Sequence, residues 1–167
     1  MTRPIRFRLG ALMVATLVLA LAGRSTVAQD ATPTTEPIAV TVLGKGLPVN
    51  APGQLLELDR ITLAPGATIP THTHPGAYVI YVESGEFGFT VLKGEAAITR
   101  TGSTTPEPFA AGPEVVGHAG DTIFENGGVV HAARNVGTTP LVLLTASLLA
   151  SDQPGLQPTN EEGTPTA

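Results

Sequence analysis

The sequence has no cysteine and no tryptophan, only 4% aromatic residues and only 14% charged residues. Without cysteine there is no disulfide framework, no zinc–thiolate site, no cysteine nucleophile and no lipid anchor on a terminal thiol. The chain has no G-x-y period, which excludes a collagen-like fold. It also has no H-E-x-x-H, no G-x-S-x-G and no phosphate-binding glycine loop, so it offers no zincin, α/β-hydrolase or nucleotide-binding signature. Helical periodicity is missing as well. Glycine (19) and proline (15) together make about one residue in five, which disfavours a helical bundle. Apolar residues nevertheless make up 42% of the 167-residue chain, enough for one domain with its own core.

The first 28 residues differ from the rest. Arg3, Arg6 and Arg8 precede an apolar run from Leu9 to Gly23, and the small residues Ser25 to Ala28 follow it. This is the three-part pattern of a secretory signal peptide. The run of 15 residues falls short of the roughly 18 to 20 that span a bilayer, so the expectation is cleavage near Ala28 and no stable membrane anchor afterwards. The protein is then secreted or periplasmic. Four of the nine basic residues lie in this segment and none of the 14 acidic ones does, so the remaining 139 residues carry a formal charge of −9. A surface this acidic repels phosphate backbones, which argues against a nucleic-acid partner.

Beyond the leader, residues 29–37 (QDATPTTEP) and 151–167 are polar and proline-rich, and composition predicts a flexible leader and a disordered tail. Between them, residues 38–150 show ten short apolar or β-branched runs. Turn signals such as Pro52-Gly53, Pro65-Gly66, Pro75-Gly76, Ser84-Gly85 and Ala119-Gly120 separate them. This predicts a single all-β domain, an antiparallel sandwich or barrel, with Gly102 to Gly112 as a loop.

There are four histidines. His72 and His74 stand two apart in a strand-like stretch, so period-two alternation turns both imidazoles to one face. Neutral imidazole is the commonest protein metal ligand. His131 lies in the separate run Val129-Val130-His131-Ala132-Ala133, as either a core residue or a third ligand brought in by the fold. His118 precedes a turn and reads as an edge or surface residue. Glu83 alternates to the face opposite residues 78, 80 and 82 and reads as a surface carboxylate, while Glu57, Glu86 and Glu125 are weaker candidates for a site. Asp121 and Asn135 belong to turns, where short polar side chains cap the backbone.

Two spaced motifs then carry a resemblance. Gly66-x5-His72-x-His74-x3-Tyr78-x6-Gly85 and Gly120-x5-Asn126-x-Gly128-x2-His131-x3-Asn135 keep every interval of the two motifs of the cupin superfamily. They depart from them at Tyr78, where the first motif has Glu, and at Asn126, where the second has Pro. The chain resembles a small single-domain cupin, which implies a double-stranded β-barrel, or jelly roll, over residues 38–150. It implies one divalent metal ion (Fe, Mn, Ni, Cu or Zn) held by His72, His74 and His131, with the fourth ligand open because Tyr78 replaces Glu. Tyr78 is then a barrel-lining aromatic, an acid–base hydroxyl or a phenolate ligand.

A neutral three-histidine set leaves a metal its full charge and open positions, which suits a Lewis acid or a bidentate substrate complex. Some cupin dioxygenases resemble this set, and the resemblance implies an oxidoreductase of that type on a small organic substrate. A non-catalytic module for a small ligand or sugar, and a metal-assisted isomerase or hydrolase, are the alternatives. Pairing as a homodimer is a further expectation drawn from the family.

Overall fold

A computed structural model describes residues 36–166; the segment read as a signal peptide and most of the leader lie outside the described residues. The described residues form strands β1 (Ile38–Gly46), β2 (Gln54–Leu63), β3 (Thr68–Thr73), β4 (Gly76–Ser84), β5 (Glu86–Lys93) and β6 (Glu95–Thr99). They continue as β7 (Glu107–Ala110), β8 (Val115–His118), β9 (Thr122–Glu125), β10 (Val130–Asn135), β11 (Leu141–Ala150) and β12 (Gln157–Pro158). Two sheets result. One has seven strands in the order β1-β2-β11-β4-β9-β6-β7, the other five in the order β12-β3-β10-β5-β8. Every paired strand is antiparallel. No helix among the described residues is long and apolar enough to cross a membrane.

The core follows from alternation. Along β11, residues 141, 143, 145, 147 and 149 are buried and their neighbours are less so. Leu141 and Leu143 meet Leu63, Ile80, Val82 and Ile123, while Phe87, Phe89 and Val91 reach in from β5. A side chain such as these contributes about 2 kcal/mol on burial, which lets a fold without cross-links hold together. The β4–β5 hairpin turns on Gly85 at φ 90°, where a Cβ would lie 2.8 Å from Leu141 Cα. Only glycine suits that conformation and that approach.

The ten expected strands are all present, and two more accompany them. Residues 102–112, read as a loop, contain β7. Among the described residues this strand pairs only with β6, at the edge of its sheet, the kind of position where a strand tolerates a proline such as Pro108. Residues 151–166, read as a disordered tail, instead fold back on the barrel. Gln157 and Pro158 pair with Thr73 and His72, Thr159 N–H donates to the Thr71 carbonyl (3.2 Å), and Ser151 N–H donates to the Gly53 carbonyl (3.0 Å). Most of this ordering uses backbone groups left free along the open edge of β3, which composition does not record.

Candidate metal centre

His72 lies near the end of β3 and His131 sits on β10, and the two are direct partners across the antiparallel pair. The register then shifts, because β3 holds one extra residue between Ile69 and His72. This bulge accommodates Pro70 and aims its carbonyl at the His72 ring. His72 Nδ1 donates to Pro70 O at 2.7 Å, and His74 Nδ1 donates to Gly155 O from the folded-back tail. A carbonyl only accepts, so in both rings Nδ1 carries the proton and Nε2 keeps a free lone pair. His74 lies directly after β3 and shares the inward direction of His72, as the two-residue spacing predicts.

The three rings converge. Their centroids are 4.8 Å apart for His72 and His74, 4.2 Å for His72 and His131, and 5.2 Å for His74 and His131. One ligand atom from each lies within 4.8 Å of the others. Phe89 stacks on His131 with centroids 4.5 Å apart and fixes its plane. Burial pulls all three imidazoles below their ordinary range, His74 to about 4. They are therefore neutral near pH 7, the form that binds metal.

Tyr78, on β4, lays its ring against His74 at a centroid distance of 4.1 Å. Burial raises its hydroxyl to about 12, so it is a neutral donor and not a phenolate. It lines a cavity of about 220 Å³ together with His72, His74 and His131, and with Asp59 and Thr145 of its own sheet. Asp59 Oδ1 and Thr145 Oγ1 are buried there without a hydrogen-bond partner.

The other sequence candidates separate cleanly. His118 is exposed and lies 3.8 Å from Glu86. Glu83 is the residue passed over where the β4–β11 register shifts, and it pairs on the surface with Arg60 at 3.2 Å. Asp121 accepts from the backbone N–H groups of Thr101 and His118, and Asn135 bonds to Leu63, Gly137 and Thr139, so each serves its local turn and also ties it to a segment distant in sequence.

Glu125 is the residue that sequence reasoning underrated. It is 1% exposed, with Oε1 3.5 Å from His74 Nε2 and Oε2 3.1 Å from His131 Nδ1. Neither oxygen accepts an aligned hydrogen bond. Burial pushes its carboxyl up to about 8. The signal was there: in Thr122-Ile123-Phe124-Glu125, alternation turns Glu125 inward with Ile123. Three neutral imidazoles with ligand atoms within 4.8 Å of one another are a donor set that fits a divalent cation, and a cation beside the buried carboxyl of Glu125 would favour its ionised form. Held there, the ion would supply Lewis acidity and open positions for a small molecule in the cavity.

The two antiparallel sheets form a jelly roll, and the three histidines that converge inside it could hold a metal ion. The sequence profile described as a cupin domain matches residues 59–147, more than half of the chain, and the protein belongs to the cupin family. No curated protein matches the sequence. Among solved structures, an oxalate oxidase in complex with the substrate analogue glycolate is 25% identical. The match covers 74% of this chain and 56% of that one, at a TM-score of 0.46. A structure of DMSP lyases (RdDddP and RnDddQII) is 18% identical over 63% of this chain and 44% of that one, at 0.47. An RmlC-like cupin protein from Ralstonia eutropha JMP134 is 16% identical over 82% and 69%, at 0.49. The chain thus spans about half the length of the first two.

Proposed function

We propose that this protein is an extracytoplasmic metal-dependent cupin that binds a small organic molecule at a three-histidine centre, with oxidoreductase chemistry of the dioxygenase type. One observation carries the reading. His72 and His74, at the end of β3, and His131, far off in sequence on β10, converge with their rings at the wall of one cavity, and the Nδ1 atoms of His72 and His74 are tied to carbonyls at short range, which leaves their Nε2 atoms free. Such second-partner bonds fix ring orientation and raise ligand basicity, an arrangement with little purpose for histidines that only fill a core. Tyr78, neutral and against His74, is placed to donate a proton to a molecule in the cavity.

A second reading, a non-catalytic binding module, draws on two other residues that line the cavity. Asp59 Oδ1 and Thr145 Oγ1 are buried polar atoms awaiting a partner, which a hydroxyl-bearing ligand would provide. Turnover separates the readings. Metal-loaded protein is incubated with small hydroxy acids, diketones, thiols and sugars under air and under nitrogen. Product only under air supports the dioxygenase reading. Product under both atmospheres points to isomerase or hydrolase chemistry, and saturable binding with no product supports the binding module.

A further inference from the structure

Tyr78 stands where the first motif places a glutamate, and β4 and β9 pair so that Tyr78 lies directly opposite Glu125. Directly opposed residues of an antiparallel pair have Cβ atoms about 4.5–5.5 Å apart, within the reach of a glutamate side chain. We propose that Glu125 is the carboxylate ligand of the metal centre, presented from β9 in place of the absent glutamate on β4. The proposal rests on the metal-binding reading above.

Three observations carry it. First, Glu125 Oε1 lies 3.5 Å from His74 Nε2, the nitrogen left free because Nδ1 is committed to Gly155. Two ligand atoms on one ion with bonds of about 2.1 Å stand about 3.0 Å apart at right angles and about 3.4 Å apart at the tetrahedral angle. The observed distance is thus close to that between two ligands of one ion. Second, both carboxylate oxygens are buried without an aligned hydrogen-bond donor. A carboxyl in this state carries a large desolvation cost, and in native proteins such groups are paired or coordinate metals. Third, Glu125 sits in the middle of the seven-stranded sheet, between β4 and β6. Its backbone is therefore fixed on both sides, the rigidity that a ligand position needs. Tyr78 then has room to turn its ring onto His74 and leave the ligand role to its partner across the ladder.

The test is Co(II) titration of the full metal-free chain by calorimetry, with the visible d–d spectrum as a second readout of the ligand set. Glu125→Gln keeps size and removes the charge, and it should weaken Co(II) binding by about 10- to 100-fold and change the spectrum. Tyr78→Glu added to Glu125→Gln should recover at least about tenfold, because a carboxylate opposite position 125 reaches the same ion. If Glu125→Gln fails to fold by circular dichroism, Glu125→Asp replaces it, with the same loss expected from shortened reach. An unchanged affinity and spectrum would overturn the proposal. So would a weaker affinity with an unchanged spectrum, since Glu125 would then only orient a histidine. If the wild type takes up no Co(II), the metal reading itself falls and this proposal with it. If the wild type binds Co(II), His131→Ala does not and Glu125→Gln does, the carboxylate assignment alone fails.

Discussion

Asp121 gives the sharpest stability prediction, because its environment is fully specified. The carboxylate is 4% exposed and accepts from Thr101 N–H at 2.8 Å, Thr101 Oγ1 at 3.1 Å, His118 N–H at 3.0 Å and Arg100 at 2.9 Å. Burial alone would raise its pKa, but the bonds from His118, Thr101 and Arg100 outweigh it and hold the group at about 2, against an ordinary 3.8. At 1.36 kcal/mol per unit, this is about 2 kcal/mol of stability. The folded pKa is depressed, so the contribution is present above about pH 4 and is lost as pH falls toward 2. Asp121→Asn removes the charge and turns an amide N–H toward groups that are themselves donors. It should cost about 3 kcal/mol at pH 7. Urea denaturation of both proteins at pH 7 and pH 2 measures the gap, and the difference between the proteins cancels every other titrating group. The gap should narrow by about 2 kcal/mol at the lower pH, and metal per chain should not change. A gap under about 0.5 kcal/mol at pH 7, or one equal at both values, would refute the reasoning.

Three further expectations concern the site and the leader. Tyr78→Phe keeps the ring against His74, so Co(II) affinity should stay within about threefold while any turnover falls by about 100-fold, as loss of a positioned proton donor implies; a matching loss of metal would make the tyrosine a ligand. A stop after Ala150 removes the Gly155 carbonyl from His74 and should lower Co(II) affinity by about 10- to 100-fold in calorimetry, with no change if the tail is only a surface decoration. Protein recovered from its producing cells should begin near Gln29 outside the cytoplasm, and terminal sequencing that finds Met1 on membrane-bound protein would contradict the leader reading.

The jelly roll was legible because its strands alternate and its turns carry glycine and proline. The two-residue spacing of His72 and His74 on a strand already placed both on one face, and the motif intervals brought His131 to them. Three features escaped composition and spacing. β7 was hidden by Pro108, which reads as a breaker until its strand is seen to lie at a sheet edge. The tail was hidden by polarity, since its anchors are mainly backbone hydrogen bonds, to β3 and to Gly53, and the Gly155 carbonyl that accepts from His74. Glu125 was hidden by register. That Tyr78 and Glu125 oppose each other depends on how β4 and β9 pair, and pairing between strands some forty residues apart is not written in either strand alone.

The central claim is that three histidines form one metal site. Its most direct test is elemental analysis of the protein purified from its native compartment, with His72→Ala, His74→Ala, His131→Ala and the surface variant His118→Ala alongside. The structure predicts about one equivalent of a divalent metal in the wild type and in His118→Ala, and a clear loss in each of the other three, because two remaining histidines organise a metal poorly. Metal retained in His131→Ala and lost in His118→Ala would contradict the account.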